Sequence, residues 1–234
     1  MTPPHPVALL LALVLSTAGC AGIGASAGST TATVPSLVEA KREVAAYVAS
    51  GRYEADIASV VDQATAYIES RAARGGKLAI VLDVDETALS NLPSFRANDY
   101  GFIVRGPCDL AAGPCGLGAW IMMGQAEPIK PVLALARLAR ARGVAVFFLT
   151  GRPERMRAAT EGNLRAAGYE WTGVILKPDA LNSASAVDFK APERKKLVEQ
   201  GYTIIVNVGD QMSDLDGGSA ERTYKLPNPF YFIP

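Results

Sequence analysis

The chain has 234 residues, 49% of them hydrophobic, and its 23 basic and 23 acidic side chains cancel to a formal net charge of zero. This length allows one domain-sized core with room for a small insertion. Without an excess of Lys and Arg there is no electrostatic basis for binding a nucleic acid polymer, and we expect no such partner.

The single histidine, His5, lies in an N-terminal segment that we expect to be removed from the mature protein. Its loss excludes Ser-His-Asp and Cys-His catalysis and zinc sites with imidazole ligands. The chemistry then has to come from carboxylates, lysine, hydroxyl groups and a metal ion.

Residues 1–20 have the features of an export signal. Residues 7–15 are apolar but too few to cross a bilayer, which favours a cleaved signal over a membrane span. The small residues before Cys20 resemble a bacterial lipobox. We expect an exported lipoprotein, attached through Cys20 to the outer face of the bacterial cell membrane, with ordinary cleavage and secretion as the alternative. Residues 21–34 are rich in Gly, Ala, Ser and Thr and predict a flexible tether to a folded domain at 35–234.

Helical and strand patterns alternate through the rest of the chain. Apolar residues at helical spacing predict helices over 36–74, with Ser36 as the capping residue and a break at Ser50-Gly51. Four strands are predicted at 77–82, 144–149, 174–176 and 203–208, and two further helices at 130–141 and 153–167. A third lies within 188–200, after Lys190, and carries Arg194, Lys195 and Lys196. This alternation predicts an α/β fold with a doubly wound parallel sheet, a helical N-terminal extension and a small cap-like insertion.

The insertion covers residues 91–127, which are rich in Gly and Pro and too long for an ordinary connection between a strand and a helix. Irregular insertions of this length are often lids or substrate loops. Cys108 and Cys115 favour a local disulfide in an exported protein over two free thiols. The aromatic residues of the insertion either line a pocket or pack it onto the domain; they are Phe95, Tyr100, Phe102 and Trp120.

Clustered acids follow the first predicted strand. Asp83, Asp85 and Glu86 stand where the apolar run ends, and buried like charges this close repel each other. A divalent cation would relieve the repulsion, and carboxylate oxygens suit Mg²⁺. The fourth strand likewise ends in Asp210 and Asp214. Right-handed crossovers bring the ends of parallel strands to one edge of the sheet, so we expect these acids to converge.

Such an edge would supply the groups that phosphoryl transfer requires. An aspartate can attack phosphorus directly, while Mg²⁺, Lys190 and the Thr150 hydroxyl offset charge on the phosphoryl oxygens. Asp85 would protonate the leaving group, which requires its pKa to rise above the ordinary value of about 3.9. Each motif alone also has a structural explanation, as an acidic turn, a helix N-cap or a solvated lysine. Their order along the chain favours one phosphoryl-transfer site.

Three segments resemble a known family. They are Val-Leu-Asp-Val-Asp-Glu-Thr-Ala-Leu-Ser-Asn-Leu-Pro at 81–93, Phe-Leu-Thr-Gly-Arg at 148–152 and Asn-Val-Gly-Asp-Gln-Met-Ser-Asp-Leu at 207–215. With these motifs the chain resembles the haloacid dehalogenase (HAD) superfamily, and within it the subfamily IIIB acid phosphatases. That group includes class B and class C acid phosphatases and plant acid phosphatases related to vegetative storage proteins. Residues 222–232 look especially like the plant members.

The resemblance implies roles for the residues of the first two motifs. Asp83 corresponds to the nucleophile and to a metal ligand. Asp85 corresponds to the general acid and base, and its backbone carbonyl to a further metal contact. Thr150 and Gly151 correspond to groups that bind the phosphate.

Two lysines, Lys177 and Lys190, are candidates for the family's phosphate-binding lysine. We prefer Lys190 because it stands ahead of a helix and twenty residues before Asp210, as in the family. Asp210 corresponds to a Mg²⁺ ligand and Asp214 to an acid outside the first coordination sphere. Glu86 receives no role.

The expected protein is an exported, Mg²⁺-dependent phosphomonoesterase that hydrolyses small organic phosphates, including nucleotides, through an aspartyl-phosphate. One Mg²⁺ per site is expected. The alternatives are a catalytically inactive surface or storage-type protein with the same fold, and a phosphotransferase that passes the phosphoryl group to an alcohol.

Overall fold

The computed structural model describes Met1, residues 34–181 and residues 185–233. The helices are α1 (Leu37–Ala49), α2 (Arg52–Ala72), α3 (Leu92–Ala97), α4 (Leu117–Met123), α5 (Lys130–Ala141), α6 (Arg157–Ala166), α7 (Ala186–Glu199) and α8 (Met212–Leu215). The strands are β1 (Leu78–Leu82), β2 (Leu89–Ser90), β3 (Glu127–Pro128), β4 (Ala145–Pro153), β5 (Gly173–Lys177), β6 (Thr203–Gly209) and β7 (Arg222–Lys225). The predicted export signal with Cys20 and nearly all of the tether lie outside the described residues.

Five parallel strands form the main sheet, in the order β5-β4-β1-β6-β7. This arrangement confirms the predicted α/β fold with a parallel sheet. The four predicted strands are β1, β4, β5 and β6, and the sheet contains a fifth that the sequence pattern did not identify. The fifth strand, β7, reads Arg-Thr-Tyr-Lys and stands at the edge of the sheet, where exposed polar side chains hide the apolar signal of a strand.

Helices cover both faces of the sheet, and every residue of β1 is therefore buried. Ile80 and Leu82 belong to a core shared with α2 and α5, whereas Ala79 and Val81 belong to a second core shared with α7. Alternate residues of a strand point to opposite faces, so the uniformly apolar sequence of β1 requires a cover on each side. The doubly wound arrangement follows from this requirement.

The helical N-terminal extension forms as predicted. The Ser36 hydroxyl accepts a hydrogen bond from the Glu39 backbone N–H at 3.3 Å, and the Glu39 carboxylate accepts one from the Ser36 N–H at 2.8 Å. Gly51 separates α1 from α2 with a φ of 76°, a conformation that favours glycine. Within the described parts of the chain, no helix is long and apolar enough to span a membrane.

The insertion is more ordered than its composition predicts. It contains the short helices α3 and α4, and its ends are joined where β2 pairs antiparallel with β3. The predicted disulfide between Cys108 and Cys115 is present. Three of the four aromatic side chains pack the insertion against the domain: Phe95 and Tyr100 stack on Phe230, and Trp120 is only 2% exposed. For these three side chains the contacts therefore support the packing alternative.

Candidate active site

The carboxyl ends of three adjacent strands form the site. β1 lies between β4 and β6, so Asp83 after β1, Thr150 in β4 and Asp210 after β6 come to the same edge of the sheet. The Asp83 backbone N–H still donates to the Val208 carbonyl at 3.0 Å, which continues the strand pairing as far as the carboxylate. Both aspartates are buried. The topology therefore brings together residues that are 127 positions apart in the chain (210 − 83).

Lys190 reaches this edge from α7 and contacts two carboxylates. Its buried ammonium donates to Asp83 Oδ1 and, at 2.6 Å, to Asp214 Oδ1. Burial alone would lower the pKa of Lys190, but the two carboxylates raise it above its ordinary value. Lys190 is thus held as a cation within the acidic cluster. Lys177, the other candidate, ends the edge strand β5, with β4 between it and β1.

The acidic cluster fits a divalent metal ion. Asp83, Asp210 and Asp214 each offer one oxygen, and these oxygens lie within 4.8 Å of one another. Burial raises the pKa of Asp83, an effect that Lys190 opposes, and burial together with Asp214 raises the pKa of Asp210 to about 6. Three carboxylates and one ammonium leave two negative charges uncompensated when all are ionised. A hard cation such as Mg²⁺ suits these oxygen donors and would offset that charge.

The metal ligands expected from sequence differ in part from this cluster. The cluster contains the expected Asp83 and Asp210, but its third carboxylate belongs to Asp214, which was expected outside the first coordination sphere. The Asp85 carboxylate forms an ion pair instead, as described below. The metal contact expected of Asp85 is its backbone carbonyl, whereas the ion pair occupies the side-chain oxygens.

Hydrogen bonds fix the orientation of Asp210. Its Oδ2 accepts from the side-chain amides of Gln211 at 2.7 Å and Asn228 at 2.6 Å, and its Oδ1 accepts from the Thr87 hydroxyl at 3.3 Å. Sequence reasoning did not identify these three residues as part of the site. All three belong to segments that resemble the family, which was the available signal.

Asp214 is held by the turn that follows β6. Its Oδ2 accepts from the backbone N–H of Gln211 at 2.9 Å, while its Oδ1 accepts from Lys190. A Cβ on Gly209 would lie 2.4 Å from the Cβ of Asp214, so the position must remain glycine for the carboxylate to approach the strand. The contact between the end of β6 and the Asp214 side chain therefore depends on the glycine.

Asp85 is paired with Arg152, which lies in the motif at 148–152 but received no role from the sequence. Arg152 Nη2 donates to Asp85 Oδ1 at 2.7 Å and Arg152 Nε donates to Oδ2 at 3.0 Å. Burial would raise the pKa of Asp85, but Arg152, together with a hydrogen bond from the Asn91 amide, lowers it below its ordinary value. The sequence-based requirement for a raised pKa is thus not met by the protein groups alone.

Thr150 and Gly151 lie in β4 beside this ion pair, where the pairing of β4 with β5 shifts its register. The Thr150 side chain is fully buried, and its hydroxyl accepts from the Arg152 backbone N–H at 3.1 Å. Gly151 is exposed, and a Cβ there would meet nothing within 4 Å. This part of β4 therefore presents open space at Gly151, next to a buried hydroxyl group.

Glu86 has a structural position in the loop after β1. It is fully buried with a φ of 51°, and its carboxylate accepts from the Asn91 backbone N–H at 2.6 Å and from the Asn91 side-chain amide at 2.8 Å. Burial, with the Asp85 carboxylate nearby, raises the pKa of Glu86 well above its ordinary value. Glu86 thus supports the loop that carries Asp83 and Asp85.

A solved structure with the same fold is the class C acid phosphatase of Bacillus anthracis with tungstate bound. It superposes with a TM-score of 0.65 and 20% sequence identity over 82% of this chain and 86% of that protein. At this identity the likeness is one of fold. The chain therefore has the α/β fold of that protein, with an acidic site at the edge of its sheet.

Sequence comparison gives the family. Residues 14–234 match the HAD superfamily, subfamily IIIB (acid phosphatase). Acid phosphatase 1 of Solanum lycopersicum is 36% identical over 190 residues, which cover 80% of this chain and 72% of that protein. The stem 28 kDa glycoprotein of Glycine max is 35% identical over 86% of this chain and 77% of its own length, and vegetative storage protein 2 of Arabidopsis thaliana is 32% identical over 80% and 69%. The chain belongs to subfamily IIIB of the HAD superfamily and is an enzyme of the acid phosphatase class.

Proposed function

We propose that the protein is a Mg²⁺-dependent phosphomonoesterase in which Asp83 attacks the phosphoryl group of small phosphate esters. The observation that carries the proposal is the contact of Lys190 with Asp83 inside the buried acidic cluster. An attacking carboxylate needs a neighbouring cation to approach a phosphate dianion. Lys190 provides one such charge next to the attacking group.

Asp83, Asp210 and Asp214 would hold the metal ion. When bound, Mg²⁺ offsets negative charge on the phosphoryl oxygens and on the three carboxylates. The Thr150 hydroxyl and the backbone N–H of Gly151 are proposed to bind the phosphoryl oxygens, together with Lys190. The family resemblance and the position of all these groups at one edge of the sheet support this assignment.

Two displacements complete the proposed reaction. An oxygen of Asp83 bonds to phosphorus as the bond from phosphorus to the ester oxygen breaks, and Asp85 gives its proton to that departing oxygen. Water then attacks the aspartyl-phosphate and returns a proton to Asp85, which releases inorganic phosphate and regenerates Asp83. Substrate phosphate brings negative charge close to Asp85 and opposes the effect of Arg152, so we expect substrate to raise the pKa of Asp85.

An aromatic pair near the site is proposed to contact the leaving group. The ring of Phe102, which is 37% exposed, stacks on the ring of Tyr231 with centroids 4.7 Å apart. The Tyr231 hydroxyl lies 3.5 Å from Glu86 Oε2, which places this pair beside the loop after β1. Esters with a flat leaving group, such as nucleoside monophosphates, suit an exposed aromatic ring.

The mechanism is tested by the variant Asp83→Asn and by removal of metal. We expect wild-type protein with Mg²⁺ to hydrolyse p-nitrophenyl phosphate, EDTA to abolish this activity, and excess Mg²⁺ to restore it. Asp83→Asn should be inactive while remaining folded by circular dichroism. Normal turnover by Asp83→Asn would contradict nucleophilic attack by this residue.

The same assay separates the alternatives. A folded wild-type protein that released no phosphate from nucleotides, sugar phosphates or phosphotyrosine would be a storage-type member of the family. A phosphotransferase would form new esters when glycerol or a nucleoside is added, at the expense of free phosphate. Retention of Asp83 and of its contact with Lys190 favours hydrolytic activity over the inactive alternative.

Export as a lipoprotein is also proposed, from the N-terminal segment alone. A flexible tether after Cys20 would hold the folded domain away from the membrane. In a bacterial host, full-length protein should fractionate with membranes, and Cys20→Ser should release it. Membrane association that does not change in Cys20→Ser would contradict lipidation at this residue.

A further inference from the structure

Asn91 connects the insertion to the proposed general acid. The Asn91 side chain is fully buried at the start of α3, where it meets groups from two other segments, the loop after β1 and helix α4. Its Nδ2 donates to Asp85 Oδ1 and to Glu86 Oε2, both at 2.8 Å. Its Oδ1 accepts from the indole N–H of Trp120 in α4, at 2.9 Å.

These partners determine which way the Asn91 amide points. The Trp120 indole N–H only donates, and the ionised Asp85 carboxylate, paired with Arg152, only accepts. A flipped amide would therefore place an NH₂ group against the indole N–H and an oxygen against the Asp85 carboxylate. The insertion thus sets the orientation of the amide, and the amide presents its donor to Asp85.

The two oxygens of Asp85 have unequal surroundings as a result. Oδ1 accepts from Asn91 Nδ2 at 2.8 Å and from Arg152 Nη2 at 2.7 Å. Among the described residues, Oδ2 accepts a hydrogen bond only from Arg152 Nε, at 3.0 Å. An oxygen that already accepts two strong hydrogen bonds is a poor site for a proton, so Oδ2 is the better place for it.

We infer that Asn91 is a positioning residue that occupies Asp85 Oδ1, leaves Oδ2 to carry the transferred proton, and is itself held by Trp120. This inference rests on the proposed function, since it assigns a task to the acid that protonates the leaving group. It also gives the insertion a role in catalysis. Without the amide, Asp85 Oδ1 keeps only its contacts with Arg152, so the difference between the two oxygens becomes smaller and the carboxylate is held less firmly.

The test compares two esters that differ in their need for an acid. p-Nitrophenolate leaves readily without a proton, whereas the alkoxide of glycerol 2-phosphate requires one. For Asn91→Ala we expect kcat/KM on glycerol 2-phosphate to fall by about tenfold to a hundredfold, as for a misplaced catalytic group. On p-nitrophenyl phosphate the fall should be several times smaller. Trp120→Phe keeps an aromatic side chain, smaller than the indole, but removes the N–H, and should show the same selectivity to a smaller degree even if Asn91→Ala folds poorly.

Asn163→Ala is the matched control. Asn163 is also buried, and its side chain exchanges two hydrogen bonds with the backbone of Ala126, far in sequence from Asp85. This variant should lose thermal stability but keep the wild-type ratio of the two rates. Equal losses on both esters in the Asn91 and Trp120 variants, or no loss, would overturn the inference. A wild-type protein that hydrolyses neither ester would instead overturn the proposed function, and the inference with it.

Discussion

Arg152 holds the Asp85 carboxylate through two nitrogens, with Nη2 2.7 Å from Oδ1 and Nε 3.0 Å from Oδ2. The guanidinium is almost fully buried, whereas the carboxylate is 19% exposed. Asp83, only two residues earlier, lies in a cluster with more carboxylates than cations. Two aspartates on one loop therefore have opposite electrostatic environments.

Substitution of Asp85 should destabilise the protein. Asp85→Asn leaves the buried Arg152 without its counter-ion, which costs about 3 kcal/mol of the free energy of unfolding. In a protein of this size that loss lowers Tm by about 6–12 °C. The measurement is a thermal melt at neutral pH in EDTA, and an unchanged Tm would contradict a stabilising ion pair.

Substitution of Asp83 should stabilise the metal-free protein, whereas substitution of Asp85 should destabilise it. The pKa of Asp83 is raised by burial, which means that its ionised form is disfavoured in the folded state. Asp83→Asn removes that charge, while Lys190 keeps Asp214 as a partner. We expect a gain of about 1 kcal/mol in EDTA. Excess Mg²⁺ should stabilise the wild type more than the variant, and a Tm below that of wild type in EDTA would contradict this account.

Removal of the Lys190 charge should abolish most activity. Lys190→Met keeps the length of the side chain but leaves the acidic cluster without its protein cation, and kcat should fall by about a hundredfold to a thousandfold. Lys196→Met in the same helix is the control, because Lys196 is exposed and its ion pair among the described residues is with Glu193, at 2.6 Å. The control should keep wild-type kcat. Similar kcat values for the two variants would show that Lys190 has no special role.

A methyl group at Gly209 should displace Asp214. The added Cβ would lie 2.4 Å from Asp214 Cβ and 2.6 Å from its Oδ2, so Gly209→Ala should cost about 1–3 kcal/mol and reduce affinity for Mg²⁺. Gly162→Ala in α6 has open space and should gain up to about 1 kcal/mol from helix propensity. Chemical denaturation and Mg²⁺ titration measure both effects. Equal stability and equal Mg²⁺ affinity of the two variants would contradict the close approach of Asp214 to Gly209.

Loss of the disulfide should destabilise the insertion. The Cys108–Cys115 link closes a short loop, and in the chain-entropy model its removal costs about 2–3 kcal/mol. The double variant Cys108→Ser/Cys115→Ser should therefore melt at lower temperature than wild type. Dithiothreitol should lower the Tm of wild type toward that of the double variant and leave the variant unchanged. A wild-type Tm that does not respond to reduction would show that the link adds no stability.

Much of the site was predictable because it depends on strand ends. Asp83, Thr150 and Asp210 each follow or end an apolar run of strand length, and parallel pairing brings such ends together whatever the details of packing. The preference for Lys190 over Lys177 came from its spacing to Asp210. In the structure Lys190 contacts Asp83, while Lys177 stands at the end of an edge strand.

The partners of these residues were not predictable in the same way. Arg152, Asn91 and Asn228 were present in the quoted motifs, but a motif does not say which polar groups meet. The edge strand β7 and the helices of the insertion were missed because polar edge strands and Gly-rich segments carry weak periodic signals. These elements are stabilised by tertiary contacts that exist only in the folded protein, such as the stacking of Phe95 on Phe230.

The sequence by itself determined the doubly wound parallel sheet, the acidic strand ends and the family, because apolar periodicity and clustered carboxylates are local properties of the chain. Only the tertiary structure decided how each acid is charged. Asp85 was expected to need a raised pKa, and Arg152, which follows the second predicted strand along the chain but contacts the end of the first in space, lowers it instead. The pKa of a buried group depends on the distance to charges elsewhere in the chain, and that distance exists only in the folded protein.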